Sequence, residues 1–290
     1  MLPEELEEHE QRAARTYSAA ADHYGLASLS FWNRFGTATV SRLPLEPGHS
    51  VLDLCCGAGA SAIPAARAVG QAGCVVGIDL AEPLLEQARA RAAAEGLPNV
   101  EFRCANAIST GLPEASFDAV ICVFGVFFAQ DMAGFAAEMW RLVRPGGVLA
   151  ITTWGPDLFE PANTAFWESV QAVEPSLFKG FNPWDEITTP HALIALCARG
   201  GVRTMTAEAV SGRHELTSPG RFWDVVLGSG YRATIDALSQ DQQDVVRQRV
   251  LTELSTRGIT TLRTDVVFGT ASKPASLSSG SGVSAALPAG

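Results

Sequence analysis

Between residues 51 and 153, short apolar runs alternate with amphipathic stretches. The first run, Val51, Leu52 and Leu54, ends in Cys55-Cys56-Gly57-Ala58-Gly59. An apolar run this brief, closed by glycines, reads as a buried strand of a parallel sheet. Similar runs lie at Cys74–Ile78, Val100–Cys104, Ala119–Val123 and Val148–Thr153. The segments between them have helical spacing. One runs from Ser61 to Val69, one opens at Pro83 with Leu84, Leu85, Ala88 and Ala92 on a stripe, and one is capped by Asp131 and runs to Val143. Strands alternating with helices predict an α/β fold with a doubly wound, mostly parallel sheet. Upstream, residues 4–24 form a helix with Ala13, Ala14, Tyr17, Ala20 and Ala21 on one face, and 30–43 form another, which Pro44 and Pro47 end. Downstream, helices are expected at 162–173, 190–199, 220–236 and 240–257. Val202–Val210 and Arg263–Thr270 are expected to be strands that pair antiparallel.

The first strand, its glycine turn and the helix after it bring backbone N–H groups and the positive end of a helix dipole to the sheet's carboxyl edge. Gly57 and Gly59 leave room there for the turn and for a ligand. With Ala62 they also satisfy the G-x-G-x-x-G/A spacing of a dinucleotide loop. Asp53 separates the two readings, because its carboxylate would repel a pyrophosphate and suits a cationic ligand rich in hydrogen-bond donors. Asp79 ends the second strand, about 20 residues past Gly59, where a carboxylate can accept both ribose hydroxyls of an adenosine. A plain helix cap is the alternative for Asp79.

An acidic residue followed by G-x-G resembles the first motif of the class I S-adenosylmethionine (SAM)-dependent methyltransferases. Arg144-Pro145-Gly146-Gly147 before the fifth strand resembles the same family. Cys55 to Gly59 and Thr152-Thr153-Trp154-Gly155-Pro156 are most similar to its ubiquinone- and menaquinone-biosynthesis branch and natural-product relatives. The resemblance runs from about residue 12 to 270 and is closest over 51–153. It implies a Rossmann-like, seven-stranded methyltransferase domain over 1–271, with a helical cap at 1–47 and an insertion at 211–260 before the last strand. It further implies that SAM is the cofactor and S-adenosylhomocysteine the product. The implied cofactor site comprises Asp53, Cys56, Gly57, Gly59, Asp79, Leu80, Ala107 and Val123, with Tyr17 from a segment that folds over the ligand. The family usually carries Asp where Asn106 stands, accepting from the adenine amino group; the side-chain oxygen of Asn106 can still accept. Residues 272–290, rich in Ser, Gly, Ala and Pro, read as a disordered tail.

The 290-residue chain is 47% hydrophobic and carries a net charge of −10, which disfavours nucleic-acid partners. Its six cysteines form no C-x-x-C pair, so buried reduced thiols are expected and no metal site. The apolar run Ala119–Ala129 is too short to span a bilayer, and Met1 to Glu8 lacks the basic start of a signal peptide. The expectation is a cytoplasmic monomer or homodimer acting on a small molecule.

Methyl transfer is an in-line displacement that needs orientation and desolvation rather than a protein nucleophile. A hydroxyl acceptor would benefit from a general base; His23 is favoured, ahead of His191 and His214, with Glu160 and Asp185 behind them. The exit of the fourth strand, Phe124 to Phe128, and Trp154 after the fifth lie at the ligand edge and predict an apolar or aromatic acceptor. Tyr24, Trp32, Phe124, Phe128, Trp154, Trp184 and Tyr231 are the expected acceptor-side residues. Two other functions compete. An NAD-dependent oxidoreductase is opposed by Asp53 and by the lack of a Tyr-x-x-x-Lys pair after the fourth strand. A SAM-binding protein with non-methylating activity is not separated by sequence.

Overall fold

The computed structural model describes residues 8–275. Its main sheet has seven strands among these residues, in the order β3-β2-β1-β4-β5-β9-β6. They are β1 (Ser50–Leu54), β2 (Cys74–Asp79), β3 (Val100–Cys104), β4 (Phe117–Val123), β5 (Val143–Trp154), β6 (Met205–Val210) and β9 (Val266–Ser272). The first five are parallel, and β9 lies antiparallel between β5 and β6. The strand order reverses between β1 and β4, which makes their carboxyl ends the switch point where such sheets bind ligands.

Period-2 alternation sorts the strand side chains between two cores. Leu52, Leu54, Val120, Cys122, Leu149 and Ile151 face one core. Val51, Ala119, Ile121, Val148 and Ala150 face the other. On the second face pack α3 (Ala62–Val69) and α4 (Glu82–Ala94), through Ile63, Ala66, Val69, Leu85 and Ala88. On the first pack α5 (Met132–Leu142) and α7 (Pro190–Arg199), through Phe135, Met139, Leu193 and Leu196. Asp131 caps α5 by accepting from the Gly134 amide at 2.9 Å, and α6 spans Ala162–Val173. The Arg144–Gly147 turn is a register break inside β5: Phe117 pairs with Val143, whereas Ala119 pairs with Val148.

Four expectations need correction. The helix expected over 220–236 is two, α8 (Phe222–Leu227) and α9 (Arg232–Asp236). A Cβ at Gly228 would run into Leu29, so the break falls where the chain packs tightly against the N-terminal segment. The strands expected at Val202 and Arg263 begin at Met205 and Val266. A small antiparallel pair, β7 (Arg213–Glu215) and β8 (Thr261–Arg263), brackets α8, α9 and α10 (Gln240–Thr256) and was not expected. Of the six cysteines, Cys74 and Cys104 are exposed and Cys55 is half-buried, leaving Cys56, Cys122 and Cys197 as buried thiols. The tail beyond residue 275 lies outside the described residues.

Upstream of the sheet stand α1 (Glu8–Tyr24) and α2 (Phe31–Val40). A Cβ at Gly36 would collide with the Ala60 carbonyl, so α2 sits directly on the glycine loop that follows β1.

Candidate functional site

The loop after β1 is built around left-handed backbone, with φ of +50° at Gly57 and +77° at Gly59. A Cβ on Gly57 would approach the Tyr24 hydroxyl to 3.3 Å. Two contacts hold the loop from outside. The Gly57 amide donates to Asp79 Oδ2 at 2.8 Å, and Arg91 on α4 donates to the Ala58 carbonyl at 2.5 Å. Asp79 also accepts from the Ala81 amide at 2.9 Å. It thereby ties the turn before α4 to the loop, but it is not the plain helix cap of the alternative reading, since Ala81 stands at the N-cap and α4 has no side-chain cap hydrogen bond. Burial pushes its carboxyl up, against the lowering pull of the Ala81, Gly57 and Leu80 amides. A carboxylate has about four acceptor positions, so Asp79 can still take a ribose hydroxyl.

Asp53 is fully buried and does not line the cleft. Alternation along β1 turns it, with Val51, toward α3, where Oδ2 accepts from the Ser61 hydroxyl at 2.7 Å. Its Oδ1 has no hydrogen-bond partner. Burial pushes the carboxyl up to about 7, partly offset by Ser61. Asp53 therefore acts through Ser61, which does line the cleft.

The cleft itself encloses about 890 Å³ of empty space, its open mouth included. Its floor is the loop, Asp79, Leu80, Asn106 and Ala107. One face of α1 roofs it with Glu10, Ala13, Ala14, Tyr17 and Tyr24, the i, i+3, i+4, i+7 spacing of a single helical stripe. An aromatic wall completes it. Tyr24 stacks on Trp32 with centroids 5.3 Å apart, and Tyr17 meets Phe128 edge-on at 5.4 Å. Cys55 and Phe124 have φ of +58° and +55°, sparsely populated values for side chains with a Cβ. They end β1 and β4 at the switch point, and both line the cleft.

Of the cofactor-side expectations, Tyr17, Cys56, Gly57, Asp79, Leu80, Asn106, Ala107 and Val123 meet in this cleft, while Asp53 and Gly59 lie beneath it. Tyr24, Trp32, Phe124 and Phe128 of the acceptor-side set are there too. The other three stand one layer back. Trp154 is buried with its ring stacked under Phe124 at 3.7 Å. Trp184 packs on Phe127 at 5.4 Å, and Tyr231 is buried among Phe159, Phe166, Trp167 and Phe222, donating to Asn163 at 2.6 Å.

His23, the favoured base, is not a cleft residue. It lies about 100° around α1 from Tyr24 and pairs with Asp22 at 2.7 Å. The other candidates are engaged elsewhere. His214 is buried with Nε2 on the Ser28 carbonyl at 2.8 Å, and burial lowers its pKa. His191 is exposed, Glu160 binds Asn163 and Thr164, and Asp185 closes a capping box with Asn182. Among the lining residues that sequence reasoning missed are Glu10, Cys55, Ser61 and Ile108. The stripe through Ala13, Ala14 and Tyr17 already contained the signal for Glu10.

Residues 51–147 match the family described as "Methyltransferase domain". Over that segment the chain is similar to methyltransferases. It is 32% identical over 145 residues to the aklanonic acid methyltransferase DauC of a Streptomyces species, covering 50% of this chain and 66% of that one. It is 28% identical over 215 residues to the nocamycin O-methyltransferase of Saccharothrix syringae, covering 74% and 70%. The first match thus spans just under two thirds of its relative's length. The crystal structure of YcgJ from Bacillus subtilis shares the fold, with a TM-score of 0.53 at 17% identity over 83% of this chain and 99% of that one.

The cleft fits SAM, the cofactor implied by that similarity. Its lining carries the carboxylates of Glu10 and Asp79 and, among the described residues, no Lys, Arg or His. Such a set of acceptors suits a sulfonium and an ammonium, and it offers no cationic side chain to a pyrophosphate. A Cβ at Gly57 would fill the cradle. No helix among the described residues is long and apolar enough to cross a membrane, and none of their side chains group as a metal site.

Proposed function

We propose that the protein transfers a methyl group from SAM to a small, largely apolar or aromatic acceptor. The observation that carries this reading is one cleft with an acidic, glycine-rich floor and an aromatic wall of Tyr17, Tyr24, Trp32, Phe124 and Phe128. The names of the relatives support it, since aklanonic acid and nocamycin are small molecules. Bound in the cleft, SAM supplies an electrophilic methyl group on a positively charged sulfur. The glycine loop and Asp79 hold the amino acid and ribose parts, and the roof from α1 excludes water. The aromatic wall orients a flat acceptor against the methyl group, and orientation with desolvation supplies much of the acceleration. Burial raises the pKa of both Tyr17 and Tyr24, so their hydroxyls stay protonated and can donate hydrogen bonds to a bound ligand. In this reading the N-terminal helices and the 211–260 insertion form the cap of a single methyltransferase domain.

The test is incubation with methyl-labelled SAM and a panel of lipophilic phenols, quinols and aromatic acids. Label in an organic-extractable product is expected. Tight binding of S-adenosylhomocysteine with no transfer to any of them would favour a non-methylating role. Calorimetric binding of NADH without binding of SAM would overturn the cofactor.

A further inference from the structure

Besides Ser61 and Asp79, two polar side chains of the cleft belong neither to the glycine loop nor to the aromatic wall. They are Glu10 on α1 and Asn106 after β3, buried at 7% and 6% exposure. Asn106 Nδ2 donates to Glu10 Oε1 at 2.9 Å, and Asn106 Oδ1 accepts from the Ile108 amide at 2.9 Å. The neighbours fix this orientation of the amide. Reversed, its oxygen would face a carboxylate and its NH₂ would face an N–H donor. Asn106 thus uses both its ends inside the protein, and what it presents to the cleft is the carboxylate of another helix.

The carboxyl edge orders the ligand. The glycine loop follows β1, Asp79 ends β2 and Asn106 follows β3. A ligand with its sulfur end at the loop and its ribose at Asp79 extends its base toward β3. There the base meets the apolar Ala107 and Ile108, and the carboxylate of Glu10. We infer that Glu10 recognises the 6-amino group of the cofactor's adenine, with Asn106 as the residue that positions it. This deepens the SAM reading and rests on it. A carboxylate has about four acceptor positions, so Glu10 takes an amino group alongside Asn106. A 6-amino purine donates at this position, whereas a 6-oxo purine presents an oxygen that the carboxylate repels. The roof of the cleft therefore reads the base as well as covering it.

Calorimetry with S-adenosylhomocysteine and S-inosylhomocysteine tests the assignment. The wild type is expected to bind the adenosyl form at least about tenfold tighter, as suits a hydrogen bond to a charged acceptor. Glu10→Gln should narrow that ratio, because a neutral amide can face either purine. The exchange of Glu10→Gln with Asn106→Asp keeps a hydrogen bond between the two positions and moves the carboxylate to β3, and it should restore the preference. A wild type with no preference, or a ratio that Glu10→Gln leaves unchanged, overturns the inference alone. Equal weakening toward both ligands leaves the ratio unchanged and makes Glu10 a packing residue. A wild type that binds neither ligand overturns the SAM reading and this inference with it.

Discussion

Asp79 has two duties, and substitution separates them poorly. Removing its carboxylate releases the Gly57 amide it holds at 2.8 Å and, in the proposed reading, takes an acceptor from the ribose. Asp79→Ala is expected to lose about 1.5–3 kcal/mol of affinity for S-adenosylhomocysteine, the range for hydrogen bonds to a charged group. An unchanged dissociation constant in a folded variant would remove Asp79 from the site. Asp53 titrates instead of binding. Its carboxyl is pushed up to about 7 by burial, against about 4 in an unfolded chain. Between those values the native state holds a proton that the unfolded chain has lost. The group's contribution is therefore full below pH 4 and declines as pH rises toward 7. Asp53→Asn, which can still accept from Ser61, should gain stability on the wild type across that interval, by an amount on the order of a few kcal/mol. Denaturant unfolding at pH 4, 5.5 and 7.5 measures it, and a constant difference between the two proteins would contradict it.

At the scale of elements, α2 and the glycine loop act as one piece, because Gly36 lets the helix rest on the Ala60 carbonyl. Gly36→Ala is expected to cost about 1–3 kcal/mol of stability by overpacking. Cofactor affinity should fall as well, and a variant that lost only stability would uncouple the two. The stacked pair Phe124–Trp154 and the exposed edge of Phe128 divide similarly. Trp154→Ala empties a buried position and should destabilise the fold by about 3–5 kcal/mol. Phe128→Ala should raise the acceptor's KM while cofactor affinity stays near wild type. Much of this was legible in the chain. The five parallel strands, the Asp131 cap and helices 162–173 and 190–199 follow from apolar spacing, and the switch-point loop from its glycines. The direction of Asp53 was legible too, since period 2 puts it with Val51 and away from Leu52. What escaped depends on contacts between distant segments. The three-residue strands β7 and β8 are too short to carry a pattern, and the break at Gly228 answers to Leu29. A glutamate in the first turn of a helix reads as a dipole partner, and only the fold sets Glu10 beside Asn106. The three acceptor-side aromatics that fell one layer back show the same limit, because apolar spacing cannot rank depth within a cluster.

For the whole molecule, the roof is where its two halves meet. Gln87 on α4 donates to the Ala21 carbonyl at 2.6 Å, and Arg232 on α9 in the insertion donates to the Ala19 carbonyl at 3.1 Å. Both hold α1, one from the helix that follows β2 and one from the insertion. Arg232→Ala should speed S-adenosylhomocysteine release severalfold, roughly 0.5–1.5 kcal/mol for the lost hydrogen bond, as stopped-flow displacement would read. The shared roof also sets an order of events. In the proposed reading an acceptor seated against Tyr17 and Tyr24 holds α1, which α9 also holds, and α1 closes the way out for the nucleoside. In the proposed reaction the nucleoside is then first in and last out. Turnover proceeds as a queue at a single door, with exchange of spent cofactor as its slow step. S-adenosylhomocysteine should inhibit competitively against SAM, and the methylated product noncompetitively against both substrates. Product inhibition that was competitive for each like pair would mean two doors.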